Sequence, residues 1–256
     1  MIVRHQKILE LLAVQESLRV KELSGQLNVT EATIRTDLIK LAELGKVVRT
    51  HGGAQLIEER IRHEYTFQKR KNLHSPIKQK IGNWAVNYIS YLDSVIFDAS
   101  TTVLALAHVL KKREDLKDVT VITTGVWTAI ELMGCQNVNV LLPGGYLRNT
   151  TGSMMGNPTN DFLKDLIIQK AFLGAWGISV NNGLTDTNLQ EIELKKSIVS
   201  RAKEVIVLAD SSKFRQSGLA AYAEIGQISK IVTDFSAPHT EIEKIREIGV
   251  EVITVS

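Results

Sequence analysis

Cysteine is all but missing: Cys135 is the single one in 256 residues. One thiol excludes an internal disulfide. With no His/Cys cluster around it, it offers no metal site either, and a small buried apolar side chain is its ordinary role. No apolar run approaches the roughly 20 residues that a membrane-spanning helix needs. The N-terminus, Met-Ile-Val-Arg-His-Gln-Lys, lacks the continuous apolar stretch of a secretory signal. A cytoplasmic protein without membrane contact is therefore expected. Apolar residues at 44% and charged residues at 23% are ordinary for a globular chain, which argues against disorder and collagen-like repeats. Nothing in the sequence calls for a cofactor.

Charge is present but uneven. Residues 1–82 carry 15 Lys/Arg against 9 Asp/Glu, whereas residues 83–256 carry 16 against 19. A basic front on a mildly acidic body suits contact between the front and a polyanion.

The front shows helical spacing. Ile8, Leu11 and Leu12 share one face of a helix over about Arg4–Val14, and Leu23 and Leu27 do so for a short one over Val20–Leu27. Thr30 is a good N-cap for a third helix, Glu31–Glu43, whose inner stripe is Ile34, Leu38 and Leu41. Gly45 is placed to end it in a left-handed cap. Lys46–Ala54 then reads as a small hairpin. Three short helices and a hairpin make a winged helix-turn-helix. The outer face of the third helix carries Ala32, Thr36 and Lys40, flanked by Thr33 and Arg35. Lys40 and Arg35 suit phosphates or guanine edges, the methyls of Ala32 and Thr36 suit thymine, and Thr33 suits a phosphate. With Thr30 at the helix start and Arg49 and His51 on the wing, these are the candidate contacts to double-stranded DNA. A small helical bundle with a solvated outer face is the plainer alternative. Asp37, near the buried stripe, suits a structural ion pair or hydrogen bond.

These segments resemble the DeoR family of bacterial sugar-metabolism regulators. The resemblance rests on Arg4, the spaced Ile8 and Leu12, the run Thr30–Leu38, and the wing Arg49-Thr50-His51-Gly52-Gly53-Ala54. The family usually has a second basic residue where this chain has Thr36, a departure that bears on the operator sequence.

Residues 57–76 read as a charged linker. Its basic cluster Lys69-Arg70-Lys71 is either a solvated face or an extra phosphate or dimer contact. Beyond Pro76 and a helix over Ile77–Tyr91, apolar strand candidates alternate with amphipathic helices. The strands are Val95–Asp98, Val119–Thr123, Val138–Leu142, Ala171–Leu173, Val205–Ala209, Ile231–Thr233 and Val250–Val255; the helices include Val103–Leu110, Gln190–Arg201 and Glu241–Glu247. This pattern is a doubly wound, mostly parallel α/β domain over 77–256, following a winged helix over 1–56.

Ligands of such sheets bind at the strands' carboxyl ends. After the first strand, Ser100, Thr101 and Thr102 open a helix and form either a phosphate cradle or an ordinary cap, with Asp98 available for sugar hydroxyls. Gly144 and Gly145 form a tight turn or a close approach to ligand, and Arg148 could meet an anion. Trp176 could stack on a sugar or fill space. Lys213 follows another strand. The segment Gly183–Asp186 reads as a loop into a helix on which Glu191 and Lys195, four apart, form a surface ion pair by default or point into a pocket.

The family resemblance extends over these strand ends, and to a sensor domain similar in fold to ribose-5-phosphate isomerase. It implies that Asp98, Ser100, Thr101, Thr102, Gly144, Gly145, Glu191 and Lys213 line a pocket. It also implies a repressor of carbohydrate-metabolism genes, controlled by a phosphorylated sugar-like effector; because two-fold operators need paired readers at a fixed spacing, a homo-oligomer, dimer or tetramer, is expected. The family commonly has an acidic residue in the Gly-Ala-x-Gly turn where this chain has Trp176. The alternative is a sugar-phosphate isomerase with an appended head, in which Glu191 or Asp186 would serve as base.

Overall fold

The computed structural model describes residues 3–15, 17–50, 52–56 and 67–256, and the chain divides into two compact units, Met1–His63 and Glu64–Ser256.

In the first unit, α1 (Val3–Gln15), a short strand β1 (Ser17–Arg19), α2 (Val20–Leu27) and α3 (Glu31–Glu43) lead into a hairpin of β2 (Val47–Thr50) and β3 (Gly53–Leu56). Ile8 and Leu12 of α1, Val20 and Leu23 of α2, and Ile34, Leu38 and Leu41 of α3 close a core with Leu18, Val47 and Ala54. The three stripes expected from helical spacing thus meet in one place. Thr30 caps α3, its hydroxyl accepting the Thr33 N–H at 3.3 Å. At the other end Gly45 adopts φ +64°. Lys46 N–H donates to the Leu41 carbonyl at 2.8 Å and Gly45 N–H to that of Ala42 at 2.9 Å. Two of the orphan carbonyls of the last turn are thereby satisfied. Strand β1 was not expected. It pairs with β3, Leu18 opposite Ala54, and makes the wing three-stranded, in the order β1-β3-β2.

The second unit opens with α4 (Phe67–Asn72) and α5 (Ser75–Ala85). The expected linker, 57–76, thus carries a helix that begins at the buried Phe67, while residues 57–66 lie outside the described residues. Pro76 sits in the first turn of α5, where its missing N–H costs nothing. There follow β4 (Ser94–Phe97), α6 (Thr101–Leu110), β5 (Val119–Thr123), α7 (Val126–Leu132), β6 (Val138–Leu141), β7 (Tyr146–Arg148), β8 (Ser153–Met155), α8 (Asn157–Lys164) and β9 (Ile168–Leu173). The chain continues with β10 (Gly177–Ser179), β11 (Gly183–Asp186), α9 (Leu189–Arg201), β12 (Ala202–Leu208), β13 (Ala220–Ala223), β14 (Lys230–Asp234), α10 (His239–Glu247) and β15 (Glu251–Val255).

Seven of these strands form one sheet, β15-β14-β12-β9-β4-β5-β6, in which every pair is parallel. Alternate residues of each strand divide between two cores. Ile96, Ala171, Leu173, Val205 and Val207 face Ile192 and Ile198 of α9 and Ile245 of α10. Val95, Phe97, Phe172, Ile206 and Leu208 face Ile81 of α5 and Leu106 and Leu110 of α6. Burial on both faces explains why these strands read as continuous apolar runs.

The sequence order reverses between β4 and β9. From β4 the chain proceeds to β5 and β6 on one side; from β9 it proceeds to β12, β14 and β15 on the other. Such a switch point leaves a crevice outside the strand ends. Two smaller antiparallel sheets, β7-β8 and β10-β11-β13, complete the unit. Gly183–Asp186, expected as a loop, is the central strand of the second. Its backbone is paired on both sides, Leu184 with Ile178 and with Ala223.

Candidate functional site

In the first unit, α3 turns Ala32, Arg35, Thr36 and Lys40 to solvent, and leaves Thr33 half-buried and Thr30 exposed. Its opposite side is anchored by Ile34, Leu38 and Leu41, all at most 1% exposed. Asp37 is buried beside them. Its Oδ1 accepts from Nη2 of Arg4 at 3.1 Å and lies 3.0 Å from Nε2 of His5, while Oδ2 accepts from Nε of Arg4. The Arg4 guanidinium, reinforced by His5 against the effect of burial, holds the Asp37 carboxyl below its ordinary value. The carboxylate thus ties α1 to α3, the structural role expected of it. On the outer face Arg35 donates to Glu31 one turn back at 2.8 Å, and Thr36 Oγ1 to the Ala32 carbonyl at 3.1 Å. Glu31 was not foreseen as a partner. Arg49 is exposed on β2; His51 lies outside the described residues.

In the second unit, the ends of β4, β9 and β12 lie side by side and present Asp98, Gly174–Trp176 and Asp210–Lys213. Asp98 is 2% exposed. Its Oδ1 accepts the Ser100 N–H at 2.9 Å and its Oδ2 the Gly174 N–H at 2.8 Å. Lys195 Nζ stands 3.3 Å from the same Oδ2. Asp98, expected to hold sugar hydroxyls, therefore joins the two strand ends at the switch point. Gly174 is needed there: a Cβ would lie 2.4 Å from Ser100 Cβ. Ser100 caps α6 by accepting the Val103 N–H, and Thr101 and Thr102 are buried at its first turn. The first N–H groups of a helix have no partner within it.

Lys195, left open in the sequence between a surface ion pair and a pocket residue, is the centre of a buried cluster. Its ammonium donates to Asp186 Oδ2 at 2.7 Å and to the Gly174 carbonyl at 2.9 Å, which also accepts from the Tyr222 hydroxyl at 3.0 Å. Burial works to discharge Lys195, but Asp186 and Asp98 outweigh it and hold the ammonium well above its ordinary pKa. Burial likewise opposes ionisation of Asp186, and Lys195 overcomes it, so that carboxyl lies low. Burial dominates Tyr222 and pushes its hydroxyl up.

Glu191 does not pair with Lys195, although four residues separate them. Its Oε1 accepts from Ser153 Oγ at 2.8 Å, Thr151 Oγ1 at 2.9 Å and Arg148 Nη1 at 3.0 Å. Of the two readings, the surface pair is the one not formed: both side chains are buried and find partners on β7, β8 and β11. Arg148 is thus engaged by a carboxylate. Gly144 and Gly145 are exposed in the turn after β6, where the Gly144 carbonyl accepts from Thr159 Oγ1 at 2.8 Å. Trp176 is half-buried, and Lys213 Nζ lies 5.5 Å from its ring centroid. Among the described residues no grouping of His, Cys, Asp and Glu could hold a metal ion, and no helix is long and apolar enough to cross a membrane.

Comparison with known proteins decides the family. Residues 4–60 match the DeoR-like helix-turn-helix domain and residues 73–235 the DeoR C terminal sensor domain. The chain belongs to the DeoR family. It is 34% identical over 252 residues to the uncharacterized HTH-type transcriptional regulator YulB of Bacillus subtilis (strain 168), covering 98% of this chain and 96% of that one. It is 28% identical to the glycerol-3-phosphate regulon repressor of Escherichia coli (strain K12), covering 92% and 91%. Among solved structures, ribose 5-phosphate isomerase A from Methanocaldococcus jannaschii superposes with a TM-score of 0.41 at 19% identity, over 55% of this chain and 54% of that one. This DeoR-family chain is accordingly a transcriptional regulator with a DNA-binding helix-turn-helix and a sensor domain.

Proposed function

We propose that this regulator represses genes of carbohydrate metabolism by binding their operators as a dimer or tetramer, and that a phosphorylated sugar-like effector changes its affinity for DNA. The observation that carries the DNA half is the division of α3: an apolar stripe and Asp37 fixed inside, with Ala32, Arg35, Thr36 and Lys40 exposed outside. A helix held in this way can enter a major groove without rearranging its core. Lys40 and Arg49 serve phosphates. Arg35 and Thr36 read base edges, with Arg35 exchanging its Glu31 partner for DNA. Repression and a phosphorylated effector are supported by the glycerol-3-phosphate regulon repressor among the relatives. Paired operator half-sites require paired heads, hence the oligomer. For the effector to act, it must bind one arrangement of the heads better than another.

An enzymatic role is disfavoured by the carboxylates themselves. Glu191 accepts three hydrogen bonds and Asp186 is locked to Lys195, so neither is free to abstract a proton. A mobility-shift titration with DNA upstream of the chain's own gene, repeated across salt concentrations, tests the proposal. Specific retardation is expected, with a salt slope that falls by about 1 in Lys40→Ala. Absence of preference over bulk DNA at every salt concentration rejects it. Turnover of pentose phosphates that Glu191→Gln abolishes would restore the isomerase.

A further inference from the structure

Arg70 stands out among the charged side chains of the second unit. Its Nε and Nη2 are buried, and neither has a hydrogen-bond partner among the described residues. The guanidinium lies 5.9 Å from the centroid of the Phe67 ring one turn before it. Its other charged neighbours are mostly of its own sign. Lys78, only 5% exposed, donates its ammonium to the Arg70 carbonyl. Lys213 forms no ion pair among the described residues and rests over Trp176. Arg70 is close enough for its charge to bear on Lys78, Lys213 and Asp186. The two acids nearby are already engaged, Asp210 by the N–H and hydroxyl of Ser212, and Asp186 by Lys195.

A guanidinium with two buried, unpartnered N–H groups, beside two ammoniums that have no carboxylate of their own among the described residues, is costly by itself. The same arrangement is favourable once an anion accepts from all three. A guanidinium with two free N–H groups fits a phosphate's paired oxygens, and the two ammoniums supply point charges. We infer that Arg70 is an anion-binding residue of the effector site, and that with Lys78 and Lys213 it holds the phosphate group of the effector. This rests on the reading above that the effector is phosphorylated.

The placement of Arg70 adds a consequence. Arg70 is carried by α4, the first described element after residues 57–66, which follow the wing. Helix α4 is fixed to the body by Phe67, which stacks on Trp127 with centroids 5.7 Å apart and donates its N–H to the Thr150 carbonyl at 2.8 Å. A phosphate gripped by Arg70 tightens α4 against the body at the point where the chain arrives from the DNA-binding unit.

The test is a thermal-shift and calorimetric titration of the full chain with inorganic phosphate and with glucose 6-phosphate, glucose being the uncharged control. Both phosphates are expected to raise the melting midpoint of the parent. A stronger response to glucose 6-phosphate marks an ester site, and an equal one marks a site for phosphate itself; either supports the assignment. Arg70→Gln is expected to weaken phosphate binding about tenfold. Without ligand it should melt no lower than the parent, since a buried unpaired cation has been removed. Should Arg70→Gln fail to fold, Arg70→Lys decides: it keeps the charge, loses the fork, and is expected to bind several-fold more weakly. Unchanged phosphate affinity in the folded variant overturns the assignment and leaves the phosphorylated effector standing. A parent that responds to neither phosphate overturns both.

Discussion

Replacing Lys195 by methionine isolates the electrostatics at the sheet's switch point. The substitution keeps most of the side chain's length and removes its charge. Asp98 and Asp186 are then left buried without their shared cation, while the Gly174 carbonyl keeps the Tyr222 hydroxyl. Removing one partner from a buried ion pair costs about 3–5 kcal/mol, because the remaining charge is uncompensated. For a domain of this size that corresponds to a fall of about 10 °C in melting midpoint. The pH dependence gives the sharper signature. In the parent, Lys195 holds the Asp186 carboxyl below its ordinary value, so its stabilising contribution is present above about pH 4 and lost as pH falls further. In Lys195→Met the group that outweighed burial is gone, and with only the Thr187 N–H and Arg70 still favouring ionisation the Asp186 carboxyl moves up from its depressed value. The variant's penalty therefore grows as pH rises through that raised value and recedes in acid. Urea unfolding followed by tryptophan emission is the assay, since Trp84, Trp127 and Trp176 all lie in the second unit. The deficit should be largest near pH 8 and shrink toward pH 5. A deficit below about 1 kcal/mol, or one equal at both pH values, refutes the reasoning.

In the first unit, Asp37→Ala removes the tie between α1 and α3 and should destabilise the unit by about 2 kcal/mol, seen as an early loss of far-ultraviolet ellipticity that tryptophan emission does not report. Because Arg4 holds that carboxyl low, the parent's advantage should also vanish as pH falls through the depressed value. Gly174→Ala forces a methyl to within 2.6 Å of Ser100 Oγ and should cost about 1–3 kcal/mol; an unchanged melting midpoint would contradict the close approach of β9 to the start of α6. Burial lowers the Lys78 ammonium to about 8, with Asp210 opposing and Lys213 and Arg70 adding to the fall. Phosphate binding should thus weaken several-fold between pH 7.5 and 9. Unliganded stability should rise from about pH 8 toward the ordinary lysine value, since there the unfolded chain holds a proton that the folded one has released. Flat titrations would remove Lys78 from the site.

The seven parallel strands were legible in the sequence because burial on both faces leaves continuous apolar runs, and the three head helices because each pairs a stripe with a cap or breaker. The strands that escaped notice, β1, β7, β8, β10, β11 and β13, have three or four residues each, too few for a period of two to emerge. The site was half legible. Hydroxyls at a helix start and a lysine after a strand mark Ser100–Thr102 and Lys213. Lys195 was hidden by its spacing from Glu191, which suggests a helical ion pair that tertiary partners displace. Arg70 was concealed in the run Lys69–Lys71, yet a signal existed: Phe67 precedes it by three residues, so the two share a helical face, and an aromatic on that face turns it inward.

The sensor's charges are segregated by function. Its acids serve the scaffold: Asp98 joins β4 to β9, Glu191 holds α9 to the β7-β8 hairpin, and Asp186 neutralises Lys195. The donors left unfilled among the described residues are those of Arg70, with the ammoniums of Lys78 and Lys213 close enough to share its charge. A neutral sugar entering such a site would displace water from these cations and return too little charge to them. A phosphate ester supplies close to two negative charges at pH 7. On the proposal above, selectivity for the phosphorylated over the free sugar follows from the cost of leaving cations desolvated, about 2–3 kcal/mol or on the order of a hundredfold in affinity. Calorimetry with glucose 6-phosphate and glucose measures that ratio, and Arg70→Gln should narrow it by weakening the ester alone. A variant that loses affinity for both sugars equally would mean that Arg70 shapes the pocket rather than reading the phosphate.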